Sequence, residues 1–192
     1  YTLCYDYFYH EVDSINFCLS GRLFLGESFV NADSRTKSFK YSIPGAIPGS
    51  ASLECRFYAT NPAGSKLYYG LSADDMIEAD VYAPEQNYYA GTIYPANSEI
   101  NLASADGQVV INYSPNGNVT NANLDYILIG AKTTIGFHNG EAQFRAFVPD
   151  YSTDNYGLIS IANSSEDVLI WDIDDCNNVT NLPFSFSDGM AK

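Results

Sequence analysis

The amino-acid sequence predicts an all-β protein: a single-domain, antiparallel β-sandwich of the jelly-roll kind over residues 1–192, with essentially no helix. Three observations predict this fold class. Short runs of alternating apolar and polar residues recur about every ten residues. Clusters of Gly, Pro, Asn, Asp and Ser separate the runs. No stretch carries the 3.6-residue apolar period of an amphipathic helix. The 16 tyrosines, against 11 phenylalanines and one tryptophan, suit strands with one hydrated face.

The first predicted strand, residues 4–12, places Tyr5, Tyr7 and Tyr9 on one face, because successive side chains of a strand point to opposite sides. The remaining predicted strands show the same alternation or are short apolar runs. They are 15–19, 22–26, 38–43, 51–59, 66–71, 76–83, 88–94, 98–103, 107–113, 124–129, 132–138, 141–148, 157–162, 167–173 and 183–187.

Several turns between these strands have recognisable residues. Pro-Gly pairs at 44–45 and 48–49 predict type II turns with glycine in the left-handed position. Asp106-Gly107 and Asn139-Gly140 each predict a two-residue β-hairpin. The segment 72–78 alone resembles a helix start, with a serine cap and acidic residues in the first turn, and it competes with a strand interpretation.

The charge distribution excludes some partners. The net charge is −14, and all of it falls in residues 67–192, because acidic and basic residues balance in residues 1–66. Such a surface repels phosphate backbones, so we expect no nucleic-acid partner. No run of 18 apolar residues is present, so we expect no membrane span. The chain begins directly as a strand, which is typical of a processed mature protein.

The four cysteines, Cys4, Cys18, Cys55 and Cys176, lack the paired C-x-x-C spacing of a zinc site. An even number of cysteines predicts two disulfides and therefore an oxidising compartment. Three connectivities are open. We favour Cys4–Cys18, closing an N-terminal arm, and Cys55–Cys176, tying the last strands to the middle of the sandwich.

Four Asn-x-Ser/Thr sites predict N-glycosylation of a secreted protein. They begin at Asn112, Asn118, Asn163 and Asn178. Their number is close to what the Asn, Ser and Thr content gives by chance, so they count mainly because the cysteines agree with them. The predicted location is extracellular or in a cell wall.

Catalytic motifs are scarce. The two histidines, His10 and His138, lie in no motif, and no G-x-S-x-G sequence is present. Paired carboxylates, the catalytic groups of glycoside hydrolases, are the remaining route to an enzyme. Glu78 and Asp80 share one face of a predicted strand, and we expect them to point inwards if they act together.

A calcium site is the one cofactor that the sequence suggests. Asp172, Asp174 and Asp175 lie close together between Trp171 and Asn178, and carboxylate oxygens are the ligands that Ca²⁺ prefers. The spacing is not that of an EF-hand. Turn-forming Asp and Asn residues at a strand end give the same pattern without a metal.

Exposed tyrosines could stack on the apolar faces of sugar rings. The candidates are Tyr5, Tyr7, Tyr9, Tyr69, Tyr88 and Tyr89. Half-hydrated sheets also use tyrosine for packing, so the pattern fits both roles. Trp171 is expected in the core, because it lies in an apolar alternating run.

The sequence favours a secreted, non-catalytic protein that acts by binding, as a carbohydrate-binding, cell-wall or surface module. One alternative is an accessory subunit or inhibitor that docks onto a larger extracellular enzyme. A second alternative is a glycoside hydrolase that uses paired carboxylates. The expected partners are accordingly glycans or a larger extracellular protein.

Overall fold

A computed structural model describes residues 4–16, 19, 21, 23–83, 92–118, 121–137, 159–173 and 175–192, with the backbone alone for 92–95. The chain forms two compact units. Unit 1 comprises Tyr1–Asp6, Pro44–Ala46 and Lys132–Lys192, and unit 2 comprises Tyr7–Ile43 and Ile47–Ala131. The assignment of residues 1–192 to one domain stays a prediction.

The described residues are almost all strand and turn, with a short 3₁₀ turn at Ala32–Ser34 and no α-helix. The strands are β1 (Cys4–Glu11), β2 (Ile15–Asn16), β3 (Phe24–Leu25), β4 (Thr36–Ser42), β5 (Ala46–Ala59), β6 (Ser65–Ser72), β7 (Asp75–Val81), β8 (Thr92–Leu102), β9 (Asp106–Pro115), β10 (Ala122–Thr133), β11 (Ile161–Ala162), β12 (Trp171–Asp172), β13 (Thr180–Asn181), β14 (Phe186–Ser187) and β15 (Met190–Ala191). Among these residues no helix has the length and hydropathy needed to cross a bilayer.

Two four-stranded sheets build unit 2. The first sheet has the strand order β1-β10-β5-β8, and the second has the order β4-β9-β6-β7. β5 pairs antiparallel with β8, and β9 pairs antiparallel with both β4 and β6. The predicted antiparallel β-sandwich is therefore confirmed.

The core of unit 2 lies between the two sheets. Phe57 of β5 is fully buried, and its ring centroid lies 5.2 Å from that of Tyr113 on β9 and 5.3 Å from that of Phe29. The hydroxyl of Tyr69 on β6 lies 2.6 Å from the Ser98 hydroxyl on β8. Aromatic rings and a part-buried hydrogen bond thus join the facing sides of the two sheets.

The alternation along β5 explains which side chains fill this core. Ala51, Leu53, Cys55 and Phe57 are buried. The residues between them, from Ser50 to Arg56, point to the other side of the sheet. The same period places polar side chains of the inner strands on an outer face.

Two predicted turns are wrong. Asp106-Gly107 does not close a hairpin, because β8 belongs to the first sheet whereas β9, which begins at Asp106, belongs to the second. Gly107 serves a different purpose: a Cβ at this position would stand 2.5 Å from the hydroxyl oxygen of Tyr41, which packs over it. Gly49 lies within β5 and not in a second Pro-Gly turn.

Other turn predictions have different outcomes. Gly45 does adopt a left-handed backbone, with φ +77°, in the turn between β4 and β5. The segment 72–78 forms the tight turn and strand of the β6–β7 hairpin, so the strand interpretation is correct there. The predicted hairpin at Asn139-Gly140 lies outside the described residues.

Unit 1 has a small apolar core of its own. Ile135, Ile161 and Ala191 are buried with Cys4, and Val168 and Ile170 pack against them. The short strands β11, β15 and β14 form one sheet, and β12 pairs with β13 in a two-stranded ribbon.

The disulfide prediction is wrong for Cys55–Cys176. Cys55 is fully buried in the core of unit 2, whereas Cys176 lies in an exposed turn of unit 1, and both thiols are free. Burial raises the pKa of the Cys55 thiol far above its usual value. The predicted Cys4–Cys18 disulfide involves Cys18, which lies outside the described residues.

Candidate binding face

Tyr5, Tyr7 and Tyr9 project from one side of β1, an edge strand of the first sheet. Their exposed fractions are 48, 60 and 52%. Phe8 and His10, which alternate with them, point inwards: Phe8 packs against Tyr41 with ring centroids 6.2 Å apart, and His10 against Phe39 at 4.9 Å. The predicted shared face of the three tyrosines is thus present in the structure.

Tyr7 lies against the neighbouring strand β10 at a glycine. A Cβ at Gly130 would stand 2.9 Å from Cε1 of Tyr7 and 2.8 Å from the Ser52 hydroxyl oxygen of β5. A side chain at position 130 would have to displace the Tyr7 ring and the Ser52 hydroxyl. Gly130 therefore leaves room for the Tyr7 ring against β10.

Tyr9 packs on Tyr126 of β10, with ring centroids 5.6 Å apart. The Tyr9 hydroxyl donates to Glu11, and the Tyr126 hydroxyl donates to Glu54 of β5. Burial, the hydrogen bond to Glu11 and nearby carboxylates raise the pKa of Tyr9 to about 12. The hydrogen bond to Glu54, burial and the Glu54 charge raise the pKa of Tyr126 to about 12. Both phenols therefore stay neutral well above neutral pH.

Arg56 of β5 lies beside the same aromatic pair. Its guanidinium carbon is 5.9 Å from the Tyr126 ring centroid, and its Nε is 3.1 Å from Oδ2 of Asp125. Asp125 is almost fully buried, and burial raises the pKa of its carboxyl, an effect that Arg56 opposes and that Glu11 and Asp13 reinforce. The ion pair thus fixes Arg56 next to the aromatic ring.

Polar side chains continue this face onto the far edge strand, β8. Ser52 pairs in register with Glu99, and Glu54 with Asn97. The Glu99 carboxylate accepts a 2.5 Å hydrogen bond from Ser50. We call the resulting surface of unit 2 the tyrosine face. Its members are Tyr7, Tyr9, Ser52, Glu54, Arg56, Glu99 and Tyr126.

The other tyrosines of the predicted set do not join this face. Tyr69 is 2% exposed and points into the sandwich, so its predicted role in ligand stacking is wrong. Its neighbour Tyr68 is the outward member of the pair, on the second sheet, because alternation sends the two rings to opposite sides. Tyr88 and Tyr89 lie outside the described residues.

The carboxylates considered for catalysis point outwards. Glu78 and Asp80 share one face of β7, as expected, but both are exposed on the outer side of the second sheet and pair with Lys66. The expectation that they point inwards is wrong. His10 is held by Glu27, with Nε2 2.8 Å from Oε1, and His138 lies outside the described residues.

The structure describes two of the three predicted calcium ligands. Asp172 is exposed on β12, Asp175 is exposed in the following turn, and Asp174 lies outside the described residues. The Asp175 carboxylate accepts a hydrogen bond from the Asn177 backbone, which is the behaviour of a turn-forming residue. Within the described part of the chain no three His, Cys, Asp or Glu side chains are placed to hold a metal.

Three of the four predicted glycosylation sites have exposed asparagines in turns or loops: Asn118, Asn163 and Asn178. Asn163 adopts a left-handed backbone, with φ 56°. Asn112 differs, because it lies in the middle of β9 and its amide donates a 2.6 Å hydrogen bond to Thr36. Modification at all four sites stays a prediction.

Sequence reasoning missed Tyr126, Glu54, Arg56 and Gly130. The alternation of polar residues with Leu53, Cys55 and Phe57 in β5 could have identified the outward side of that strand. Tyr126 had no such signal, because most residues of β10 are buried on both of its sides.

Comparison with known proteins establishes the fold and no family. No protein-family model and no curated protein sequence matches the chain. A dimeric latent PorU from Porphyromonas gingivalis has a similar structure, with a TM-score of 0.78 and 16% sequence identity. The match covers 100% of this chain and 18% of the PorU chain.

Two carbohydrate-binding modules resemble the chain more distantly. One comes from lichenase 5A of Cellvibrio mixtus, in complex with cellotriose, with a TM-score of 0.32, 18% identity, and coverage of 55% of this chain and 89% of the module. The other is a family 35 module from Clostridium thermocellum, with a TM-score of 0.36, 14% identity, and coverage of 66% and 90%. At these scores neither supports an argument about function, and the likeness to PorU establishes the fold alone.

Proposed function

We propose that this chain is a non-catalytic binding module and that its tyrosine face holds a carbohydrate. The observation that carries the proposal is the cluster of Tyr7, Tyr9 and Tyr126 on the outer side of the first sheet. The Tyr7 and Tyr9 rings are exposed, and the Tyr126 ring is half-buried. Gly130 makes room for the Tyr7 ring, and Tyr9 and Tyr126 pack on each other. Rigid, exposed aromatic rings suit the flat apolar faces of sugar rings, at a small cost in side-chain entropy.

The polar neighbours supply what a sugar also needs. The Glu54 and Glu99 carboxylates accept hydrogen bonds, and Arg56 and Ser52 donate them. These groups lie on strands, which hold a site more firmly than loops do. Apolar stacking places with donors and acceptors beside them are the usual composition of a small-ligand site.

A glycan array with the purified chain tests the proposal. We expect binding to at least one glycan, and a loss of about tenfold or more in affinity when Tyr126 is replaced by alanine, because one stacked ring contributes roughly 1–3 kcal/mol. The matched control is Tyr68→Ala, which removes an outward tyrosine from the other sheet. Equal effects of the two substitutions would contradict the assignment of the face.

A second candidate function is that of an accessory module within, or bound to, a larger extracellular protein. One observation favours it: the whole chain corresponds to 18% of the PorU chain. Native mass measurement of the protein isolated from its source tests this candidate, because a co-purifying larger chain, or a longer form of this one, is the expected result. The predicted secretion, glycosylation and Cys4–Cys18 disulfide belong to both candidates, and the same measurement reports the glycan mass.

A further inference from the structure

Apolar side chains are exposed on β12 of unit 1 and on the residues that flank this strand. Leu169, Trp171 and Ile173 are 67, 60 and 54% exposed, although the sequence alone places Trp171 in the core. That prediction is wrong because only the other side of the run is covered: Val168 and Ile170 pack against the small core of unit 1.

An apolar run on both sides of a strand is typical of a strand that is covered on both sides. Here the ribbon is only two strands wide, with Trp171 opposite Asn181 and Asp172 opposite Thr180. Isolated two-stranded ribbons are marginal by themselves. An exposed tryptophan beside other exposed apolar side chains is typical of a surface where another molecule binds.

A concavity beside the ribbon has a defined chemistry. It has a volume of about 650 Å³, and its lining includes the apolar residues Phe137, Val168 and Leu169 and the polar residues Ser165 and Asp167. A concavity lined by an aromatic residue and an acidic residue suits the long side chain of arginine or lysine, whose stem packs on apolar surface while its charge meets the acid.

The charge of this region selects among partners. Residues 159–192 contain six acidic residues and one basic residue, Lys192. Their acidic residues are Glu166, Asp167, Asp172, Asp174, Asp175 and Asp188. A second copy of the chain would bring the same acids face to face, which electrostatic complementarity disfavours.

We propose that the Leu169–Trp171–Ile173 side of the ribbon and the adjoining concavity form a docking surface for a polypeptide segment that carries arginine or lysine among apolar residues. The apolar residues of the partner cover the ribbon, and one basic side chain enters the concavity between Phe137 and Asp167. This surface belongs to unit 1 and is independent of the carbohydrate proposal, which concerns unit 2.

The chain carries its own reporter, because Trp171 is the single tryptophan. The probes are two synthetic peptides, one of alternating valine and arginine and the other of alternating valine and glutamate. We expect the arginine peptide to shift the Trp171 emission to shorter wavelength and to saturate, and the glutamate peptide to have no effect. We also expect caesium to quench the emission more strongly than iodide, since the surrounding charge is negative.

Two substitutions separate docking from general attraction to acidic protein. Asp167→Asn should weaken binding of the arginine peptide by about tenfold, whereas Asp188→Asn should leave it nearly unchanged. By calorimetry Leu169→Ala should weaken binding, while Leu19→Ala, at an exposed leucine of unit 2, should not. Circular dichroism of each variant checks that it is folded.

Equal losses for Asp167→Asn and Asp188→Asn would overturn the proposal, as would equal responses to the two peptides. A dimer in sedimentation that Leu169→Ala dissociates would also overturn it, because the ribbon would then bind a second copy. None of these outcomes depends on sugar binding, so the two proposals fail separately.

Discussion

The ring of Tyr7 occupies the space above Gly130, and a methyl group at position 130 would stand 2.9 Å from its Cε1 atom. The same relationship recurs in the second sheet, where Gly107 leaves room for Tyr41. In both cases a glycine on one strand accommodates a tyrosine ring from the neighbouring strand. The first pair lies on the outer side of its sheet, where the ring is exposed.

Gly130→Ala should therefore disturb the tyrosine face. We expect the free energy of unfolding to fall by about 1–3 kcal/mol, because the added methyl group displaces Tyr7 and Ser52. Denaturant unfolding measures the change. The control is Gly136→Ala, whose new Cβ would meet its nearest neighbour at 3.4 Å, an ordinary contact. If Gly130→Ala costs as much in a Tyr7→Ala background as in the native protein, Tyr7 is not the residue that the methyl group displaces.

The hydrogen bond from Tyr126 to Glu54 predicts an alkaline titration that depends on one carboxylate. The pKa of Tyr126 is about 12 in the folded state and 10 in the unfolded chain. Between these two pH values the folded protein keeps the Tyr126 proton, whereas the unfolded chain loses it. Its contribution to stability is therefore present below pH 10 and is lost as the pH rises from about 10 to 12.

The residue-specific signal of labelled tyrosine carbons in NMR spectra follows this titration. Glu54→Gln should bring the pKa of Tyr126 back towards 10, because the neighbouring negative charge is gone. Glu99→Gln, at a carboxylate bonded to Ser50, should leave it unchanged. A titration of Tyr126 near 10 in the native protein would show that the hydrogen bond is not formed.

Arg56→Ala should destabilise the protein by about 2 kcal/mol at neutral pH, because it leaves the buried Asp125 carboxylate without its counter-ion. The pKa of Asp125 is already raised by burial and should rise further in the variant. When folding raises the pKa of a carboxyl, the folded protein loses stability as the pH increases through the range between the unfolded and the folded pKa values of that group. The cost of the substitution should thus be smaller at pH 4.5 than at pH 7.

Denaturant unfolding at the two pH values measures this difference. Lys66→Ala is the control, since Lys66, Glu78 and Asp80 form an exposed group of charges and should contribute little. A loss for Arg56→Ala that is the same at both pH values would show that packing, and not the charge of Asp125, explains its effect.

The thiols of Cys55 and Cys176 should react at very different rates. Cys176 is exposed and should be alkylated in the native protein, whereas Cys55 is buried and should react only after unfolding. Peptide mass mapping after alkylation under non-reducing conditions identifies each site, and Cys176→Ser should remove the fast reaction. A peptide pair linked through Cys55 and Cys176 would contradict the structure.

The sequence predicts the sandwich well where alternation is regular. In β1 every second residue from Tyr5 to Tyr9 is an outward tyrosine, and in β5 every second residue from Ala51 to Phe57 is apolar and points inwards. Both strands and their outward residues therefore follow from a period of two. The turns are harder to predict, because glycine has more than one use. Gly45 supplies a left-handed turn, whereas Gly107 and Gly130 make room for a ring.

The site depends on pairing between distant strands, which alternation does not specify. Tyr9 and Tyr126 meet because β1 lies beside β10, and Tyr126 reaches Glu54 because β5 lies on the other side of β10. Trp171 shows the converse error: its apolar neighbours predict burial, but no described element of unit 1 covers its side of the ribbon.

The most direct test of carbohydrate binding at the tyrosine face is an amide chemical-shift titration of the labelled protein with a glycan that the array identifies. We expect the largest shifts on β1, β5 and β10, around Tyr7, Ser52, Arg56 and Tyr126, and we expect them to disappear in Tyr126→Ala. Shifts confined to the second sheet, or to the ribbon at Trp171, would contradict it, as would the absence of any glycan that binds.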